Sequence, residues 1–365
     1  MFTGIFIDDR EADQVFASHM STAGKTGLQI EFKKPKDLIL LTKEILASKP
    51  NFIALDYRLD EEQEPNTQPN DYKAAPLAQL LRDYTSENAY QDFPIILVSH
   101  EDKIKGFLND VTAHNLFDRR FTKKEITDNP EEHRKKILSL VKGYDRMIKN
   151  WNKSERWITF LALTKPESEQ VGYQPIRELD KLKAPHQVAQ NILRYVIDRQ
   201  GILLDTDNLL AQLGVEKDGK DVKPLFARLK KDKVIYSGVF SEGWTRWWQH
   251  RLWDWEKKVC GEPLGNLTAR ERVECLNEKL QLQLSPAISS WKKSRDALLA
   301  YACDSCHQPT EDQYSVAAYD PLPYTYIRGK RICWKCIETD EFTEQGLEYD
   351  KDEEFIVDMI EKGEM

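Results

Sequence analysis

Four polar side chains stand where apolar runs stop. Phe52-Ile53-Ala54-Leu55 ends on Asp56, Gly4-Ile5-Phe6-Ile7 ends on the pair Asp8-Asp9, and Phe93-Pro94-Ile95-Ile96-Leu97-Val98 ends on Ser99. An apolar run that breaks off on a carboxylate reads as a buried strand delivering its acid to a sheet edge. Carboxylates gathered at such an edge suit a hard cation such as Mg²⁺, which takes oxygen ligands from carboxylates, waters and phosphate. An Asp in that company can also be the nucleophile that carries an aspartyl-phosphate. Asp8, Asp9 and Asp56 are therefore candidate Mg²⁺ ligands, and Asp56 is the candidate phosphoacceptor. Any one of these acids alone would read as an ordinary turn residue, because turns favour Asp.

A second constellation is Cys303-Asp304-Ser305-Cys306 with Cys333-Trp334-Lys335-Cys336. Each Cys-x-x-Cys turn offers two thiolates, and two turns close a tetrahedral Cys₄ shell, the arrangement of structural Zn²⁺. His307 is an alternative ligand. The intervening stretch His307–Ile332 is longer than usual for paired knuckles, and its segments 314–319 and 324–327 can pair as strands. The pattern resembles a zinc ribbon or treble clef, which implies a metal that folds a region with little core of its own.

Positioning the acids requires strands alternating with helices, and helical patterns do fill the gaps, from Leu38 to Leu46 and from Ala74 to Tyr84. That alternation predicts an α/β, doubly wound parallel sheet with the site outside the carboxyl ends of its strands. Residues 1–150 resemble a response-regulator receiver domain. The match consists of Asp8-Asp9 after the first strand, Asp56 after the third, Ser99 after the fourth, and Lys123 in Arg120-Phe121-Thr122-Lys123. The resemblance implies a flavodoxin-like, five-stranded fold in which Asp56 is phosphorylated and Asp8 and Asp9 bind Mg²⁺. It further implies that Ser99 and Lys123 contact the phosphoryl group, that the backbone carbonyl of Arg58 completes the metal shell, and that a sensor kinase or other signalling protein is a partner. Three positions depart from the family pattern. His100 replaces a small residue, Arg120 stands where an aromatic switch residue is usual, and Lys124 replaces a proline. A long polar loop between Asp60 and Tyr72 is a candidate cover for the pocket.

The composition excludes several classes. The chain has 365 residues, 40% hydrophobic and 31% charged, with a net charge of −8. A polyanion partner therefore needs a local basic patch. No apolar run approaches a membrane span, and the start lacks a basic region before its apolar stretch, so neither secretion nor insertion is expected. Cys260 and Cys275 stand apart from the two pairs, which fits a reducing cytoplasm better than a disulfide framework.

Asn129-Pro130-Glu131-Glu132 predicts a helix start and the last receiver helix, running to about 150. The segment Trp157–Leu163 reads as either helix or strand. Between 184 and 240 the pattern predicts an amphipathic helix over Gln187–Arg199, a short one over Asp205–Leu213 closed by Gly214, a third over Val222–Lys231, and a strand over Val234–Phe240. Those elements admit a winged helix. The third helix carries Lys223, Arg228, Lys230 and Lys231, a basic cluster that suits nucleic acid or is simply a solvated face. Trp244, Trp247, Trp248, Trp253 and Trp255 suit either base stacking or, preferably, a packed seam. Thr268-Ala269-Arg270-Glu271 is a capping box, and a further helix is expected over Trp291–Ala302. The stretch beyond Glu338 is acidic with a short apolar end.

These readings predict a receiver-like domain at 1–150, a mainly helical output domain at 151–300, a Cys₄ module at 301–340 and an acidic tail at 341–365. The expected function is cytoplasmic signalling, in which phosphorylation of the receiver controls a helical output and a downstream protein partner. Divergent receivers of this kind resemble those of bacterial phage-defence operons. Competing readings are a DNA-binding transcription regulator and a protein-interaction scaffold that never accepts phosphate. An independent enzyme is disfavoured, because no nucleophile–base pair, phosphate loop or histidine metal motif appears outside the aspartates.

Overall fold

The computed structural model describes residues 1–61, 71–100, 115–172, 174–320 and 328–365. Two compact units emerge, Met1–Arg194 with Ser237–Trp244, and Tyr195–Tyr236 with Thr245–Met365. This division is coarser than the four segments expected from the sequence. No helix among the described residues is long and apolar enough to cross a membrane.

In the first unit, β1 (Phe2–Ile7), β2 (Leu28–Lys33), β3 (Phe52–Leu55), β4 (Ile95–Ser99) and β5 (Arg119–Thr122) form one sheet in the order β2-β1-β3-β4-β5. Every pairing in it is parallel. This order fits a flavodoxin-like receiver fold. β3 and β4 are buried at every residue, which is why they read as unbroken apolar runs. Around the sheet run α1 (Val15–Met20), α2 (Leu38–Ser48), α3 (Ala74–Glu87), α4 (Lys123–Asp128) and α5 (Pro130–Lys149). The Asp37 carboxylate caps α2 by accepting from the Ile39 and Leu40 amides. On one side of the sheet, Ile5, Ile7, Ile53, Leu55, Ile95 and Leu97 pack against Leu41, Ile45, Leu77 and Leu81. The expected cover between Asp60 and Tyr72 falls largely on 62–70, outside the described residues.

A buried charge network sits at the amino ends of β4 and β5. Arg82 donates to Asp92 at 3.1 Å and to Asp118 at 2.7 Å, and Tyr144 donates to Asp118 at 2.6 Å. Asp92 also accepts from the His186 amide at 2.7 Å, which pins α8 (Pro185–Asn191) to this end of the sheet. The ambiguous segment at 157–163 is helical, α6 (Arg156–Leu161), and is followed by α7 (Lys165–Val171). The expected helix over Gln187–Arg199 is α8 continued by a π-helical turn over Ile192–Ile197.

The strand expected over Val234–Phe240 does not form. Ile235 makes a single bridge to Trp247, and the chain then turns to place Ser237–Trp244 in the first unit. Phe240, at a positive φ of 67°, lies against Gly143 of α5, where an added Cβ would meet its ring at 2.3 Å. The Val239 amide donates to the Phe160 carbonyl at 2.8 Å. Burial of Val239 and Phe240 on these helices outweighs their β propensity.

The second unit holds β6 (Leu203–Leu204), α9 (Thr206–Leu213), α10 (Val222–Lys231), β7 (Trp247–Trp248), α11 (Gln249–Cys260) and α12 (Ala269–Leu280). Asp205 caps α9, and Gly214 closes it in the left-handed region at φ 68°. β6 pairs antiparallel with β7. Trp247 and Trp255 fill the core beside Leu209, Leu225, Leu229, Leu252 and Leu276. Thr268 and Glu271 form the expected capping box. Cys260 and Cys275 do not stand alone: they form a disulfide with Cα atoms 6.1 Å apart, because the neighbouring helices α11 and α12 bring them together.

The helix expected over Trp291–Ala302 is also replaced. Residues 281–298 are irregular, and β8 (Leu299–Ala302) then pairs with β9 (Pro309–Glu311). β10 (Ser315–Ala317) pairs with β11 (Arg331–Cys333), followed by α13 (Trp334–Glu338). The second expected strand, at 324–327, lies outside the described residues. Val357 and Ile360 of α14 (Glu354–Glu361) bury beside Ile337 and Phe342, so the apolar end of the acidic stretch completes the core around the cysteines.

Candidate functional site

Parallel strands deliver their carboxyl-terminal residues to one edge, and four of the expected groups meet there. Asp8 follows β1, Asp56 follows β3, Ser99 ends β4, and Lys123 opens α4 directly after β5. The Thr122–Glu125 capping box fixes that first turn, which sets where Lys123 departs. Lys123 Nζ lies 2.7 Å from Asp8 and 2.9 Å from Asp56. Ser99 Oγ donates to Asp56 Oδ1 at 3.1 Å. The other Asp56 oxygen accepts from the Arg58 amide at 2.8 Å. The Arg58 side chain pairs outward with Asp60 at 2.6 Å. Asp9 accepts from the Glu61 amide at 2.6 Å.

Asp13 belongs to this pocket and was not anticipated. It lies on the 3₁₀ turn Glu11–Gln14 and takes Lys123 Nζ at 2.6 Å, the shortest of the lysine's three carboxylate contacts. The signal available in the sequence was an acid one turn beyond the Asp8-Asp9 pair, in Arg10-Glu11-Ala12-Asp13.

One ammonium among three carboxylates sets the electrostatics. Burial raises the Asp8 pKa to about 7, the Asp56 charge pushes it the same way, and Lys123 opposes both. Burial alone would lower the Lys123 pKa, but the Asp56 and Asp8 charges hold it above the usual lysine range. Lys123 therefore stays charged, and Asp8 is the group whose proton is easily exchanged near neutral pH.

The four cysteines converge as expected. Their sulfurs all lie within 4.8 Å of one another, with Cys303–Cys336 at 3.9 Å and Cys306–Cys333 at 3.8 Å. A tetrahedron of Zn–S bonds of about 2.3 Å spaces its sulfurs by about 3.8 Å, so the cluster fits such an ion. The Cys333 amide points at Cys303 Sγ at 3.2 Å, a backbone contact that stabilises a thiolate. Contact with Cys306 draws the Cys303 pKa down to about 7, while that of Cys306 itself rises. His307 is no part of the cluster: its ring is largely exposed, with Nδ1 3.8 Å from Asp207. Among the described residues the cysteines are the only three or more His, Cys, Asp or Glu groups placed closely enough to hold a metal ion, and the aspartates are not so placed.

Of the basic cluster, Lys223, Arg228, Lys230 and Lys231 are exposed on α10 while Leu225 and Leu229 face the core. Arg228 pairs with Asp232 at 3.0 Å. No protein-family model matches the chain, and a comparison with curated proteins finds no match.

Proposed function

We propose that the chain is a regulatory phosphoacceptor, with Asp56 the phosphorylated residue. The observation that carries this reading is the convergence of Lys123, Ser99 and Asp8 on the Asp56 carboxylate from four strand ends. An Asp56 oxygen attacks the phosphorus of a small phosphoryl donor. The new P–O bond forms as the donor's bond to its leaving group breaks, and that group departs with the electron pair. Lys123 and Ser99 stabilise charge on the transferred oxygens. The resemblance implies Mg²⁺ on Asp8, Asp9, Asp56 and the Arg58 carbonyl, but with Lys123 among them the aspartates are not grouped to hold an ion, and the transfer is carried by Lys123 and Ser99. For a bound phosphoryl group to take Lys123, the ammonium must loosen its hold on Asp8 and Asp13. That exchange is the local event by which added charge reaches α4 and β5.

In this reading the Cys₄ cluster holds a structural Zn²⁺, since four thiolates leave no open position. The order β6, α9, α10, the Ile235–Trp247 bridge and β7 back on β6 resembles a winged helix, with α8 preceding it in the chain. That module is the proposed output. Its exposed basic helix α10 favours nucleic acid as a second reading of the downstream partner, beside a protein partner. A cytoplasmic site is proposed with it on the two Cys-x-x-Cys pairs, a reading the Cys260–Cys275 disulfide does not support. A place in bacterial defence signalling rests on the family resemblance alone.

Acetyl phosphate with Mg²⁺ tests the reading. The mass of one phosphoryl group should appear on the wild type and be absent from Asp56→Asn, and beryllofluoride should change tryptophan fluorescence only in the wild type. An unmodified wild type that responds no differently from Asp56→Asn leaves the scaffold reading instead.

A further inference from the structure

Residues 281–298 link α12 to β8 without a helix or a strand. Connections beyond about 12–15 residues with no regular structure are uncommon and often functional. This one is firmly held. Glu311, 1% exposed, accepts from Ser289 Oγ at 2.9 Å and from the Leu298 amide at 3.0 Å, so one buried carboxylate fixes both flanks of the loop. The Ala287 amide donates to Gly214 at 2.8 Å, and the Ala269 amide donates to Ala297 at 3.0 Å. Between the loop and the first turn of α12 lies a cleft of about 390 Å³. That falls within the range of about 300–1,000 Å³ typical of small-molecule sites.

The chemistry of the cleft is specific. Arg270 and Arg295 line it, and neither forms an ion pair with a described residue. Ser294 lines it too, and its hydroxyl is buried without a hydrogen-bond partner among the described residues. Ala287 and Ile288 supply an apolar wall, and Ile288 is 78% exposed. Asp296 places one carboxylate on the same lining.

We propose that this cleft binds a small phosphate monoester, of nucleotide size, with its phosphate between Arg270 and Arg295 and its body on Ile288 and Ala287. Two guanidinium forks match phosphate geometry bidentately. Their two charges balance the roughly −1.5 to −2 of a monoester near neutral pH. Asp296 opposes a second phosphate, so a single monoester fits and a nucleic-acid strand does not. The proposal is independent of phosphorylation at Asp56.

Equilibrium dialysis of the full-length protein against AMP, CMP and phenyl phosphate tests it, with adenosine and a short oligothymidylate as controls. At least one monoester should bind saturably at one site, and adenosine should not. Arg270→Gln with Arg295→Gln should weaken that binding by at least about tenfold. Ile288→Glu, an exposed change that adds repulsion at the wall, should weaken it too. Unchanged unfolding curves establish that the variants are folded. The assignment is overturned if none of the three esters binds saturably, if both variants bind as the wild type does, or if oligothymidylate binds through the same arginines more tightly than the monoesters.

Discussion

The aspartate pocket and the cysteine cluster both crowd groups that would repel one another when ionised, and they resolve the conflict in opposite ways. In the pocket, unlike partners arrive from separate strand ends, and one ammonium already sits 2.6–2.9 Å from three carboxylates. Charge there is balanced by a side chain that can let go, which suits exchange. In the cluster, four identical donors stand at the spacing of a tetrahedral shell. Balance has to come from an ion, and once it is bound nothing is left to exchange. One site is built to change state and the other to stay in one.

The largest expected effect tests the closed half of that contrast. Structural zinc contributes about 10–16 kcal/mol of apparent binding energy in small peptide domains. Cys333→Ser, or chelation, should release about one zinc per chain and expose the region from Cys303 onward to protease. The first unit should remain folded, because its core is separate. A C-terminal region equally resistant without metal would break the contrast.

Next is the exchangeable half. Lys123→Met leaves Asp8, Asp13 and Asp56 without their cation, and removing one partner of a buried pair costs about 3–5 kcal/mol. Urea unfolding should show that loss in the first unit and its partial recovery with added Mg²⁺. If magnesium changes nothing, the carboxylates do not accept a replacement ion.

A buried acid whose burial outweighs its cationic neighbour sharpens the point. Burial raises the Glu256 pKa to about 7, opposed by the Leu264 amide and by Arg272. A raised folded-state pKa gives stability that is complete below the unfolded value of about 4.5 and is lost as pH rises through about 7. Glu256→Gln should therefore match the wild type's pH response poorly, gaining about 2–3 kcal/mol on it at pH 8.5 relative to pH 4. Parallel curves for the two proteins would show that Glu256 does not carry the dependence. The smallest effect is at Ser99. Ser99→Ala removes one hydrogen bond to Asp56, about 1 kcal/mol, and should slow phosphoryl transfer more than it lowers stability, as read by acetyl phosphate time courses against melting curves.

Much of the first unit was legible because buried parallel strands and capped helices write local signals. β3, β4, α2 and the start of α5 fall where the apolar runs and Pro130 place them. Ser99 was legible as the polar end of an apolar run, Lys123 through the resemblance, and the cysteines through their spacing. Asp13 was not, since the acid after the Asp8-Asp9 pair gains its role only through a long-range contact with Lys123, 110 residues away. The same reason explains Val234–Phe240 and Trp291–Ala302. In both, long-range burial or a distant carboxylate, Glu311, overrode local propensity. The Cys260–Cys275 bond was missed because helix pairing, rather than sequence spacing, brings those thiols together.

The return of Ser237–Trp244 to the first unit imposes an order on synthesis. Gly143 leaves a niche that Phe240 fills, and Gly243 lies so close to α5 that an added Cβ would come within 3.0 Å of the Lys136 Cα. Until residue 244 has emerged from the ribosome, the outer face of α5 keeps that apolar niche open, whatever the sheet beneath has achieved. Contacts spanning so much sequence form late and slowly. A nascent chain of about 200 residues would thus carry a folded sheet with an unfinished flank, and truncation near residue 150 would make that transient state permanent.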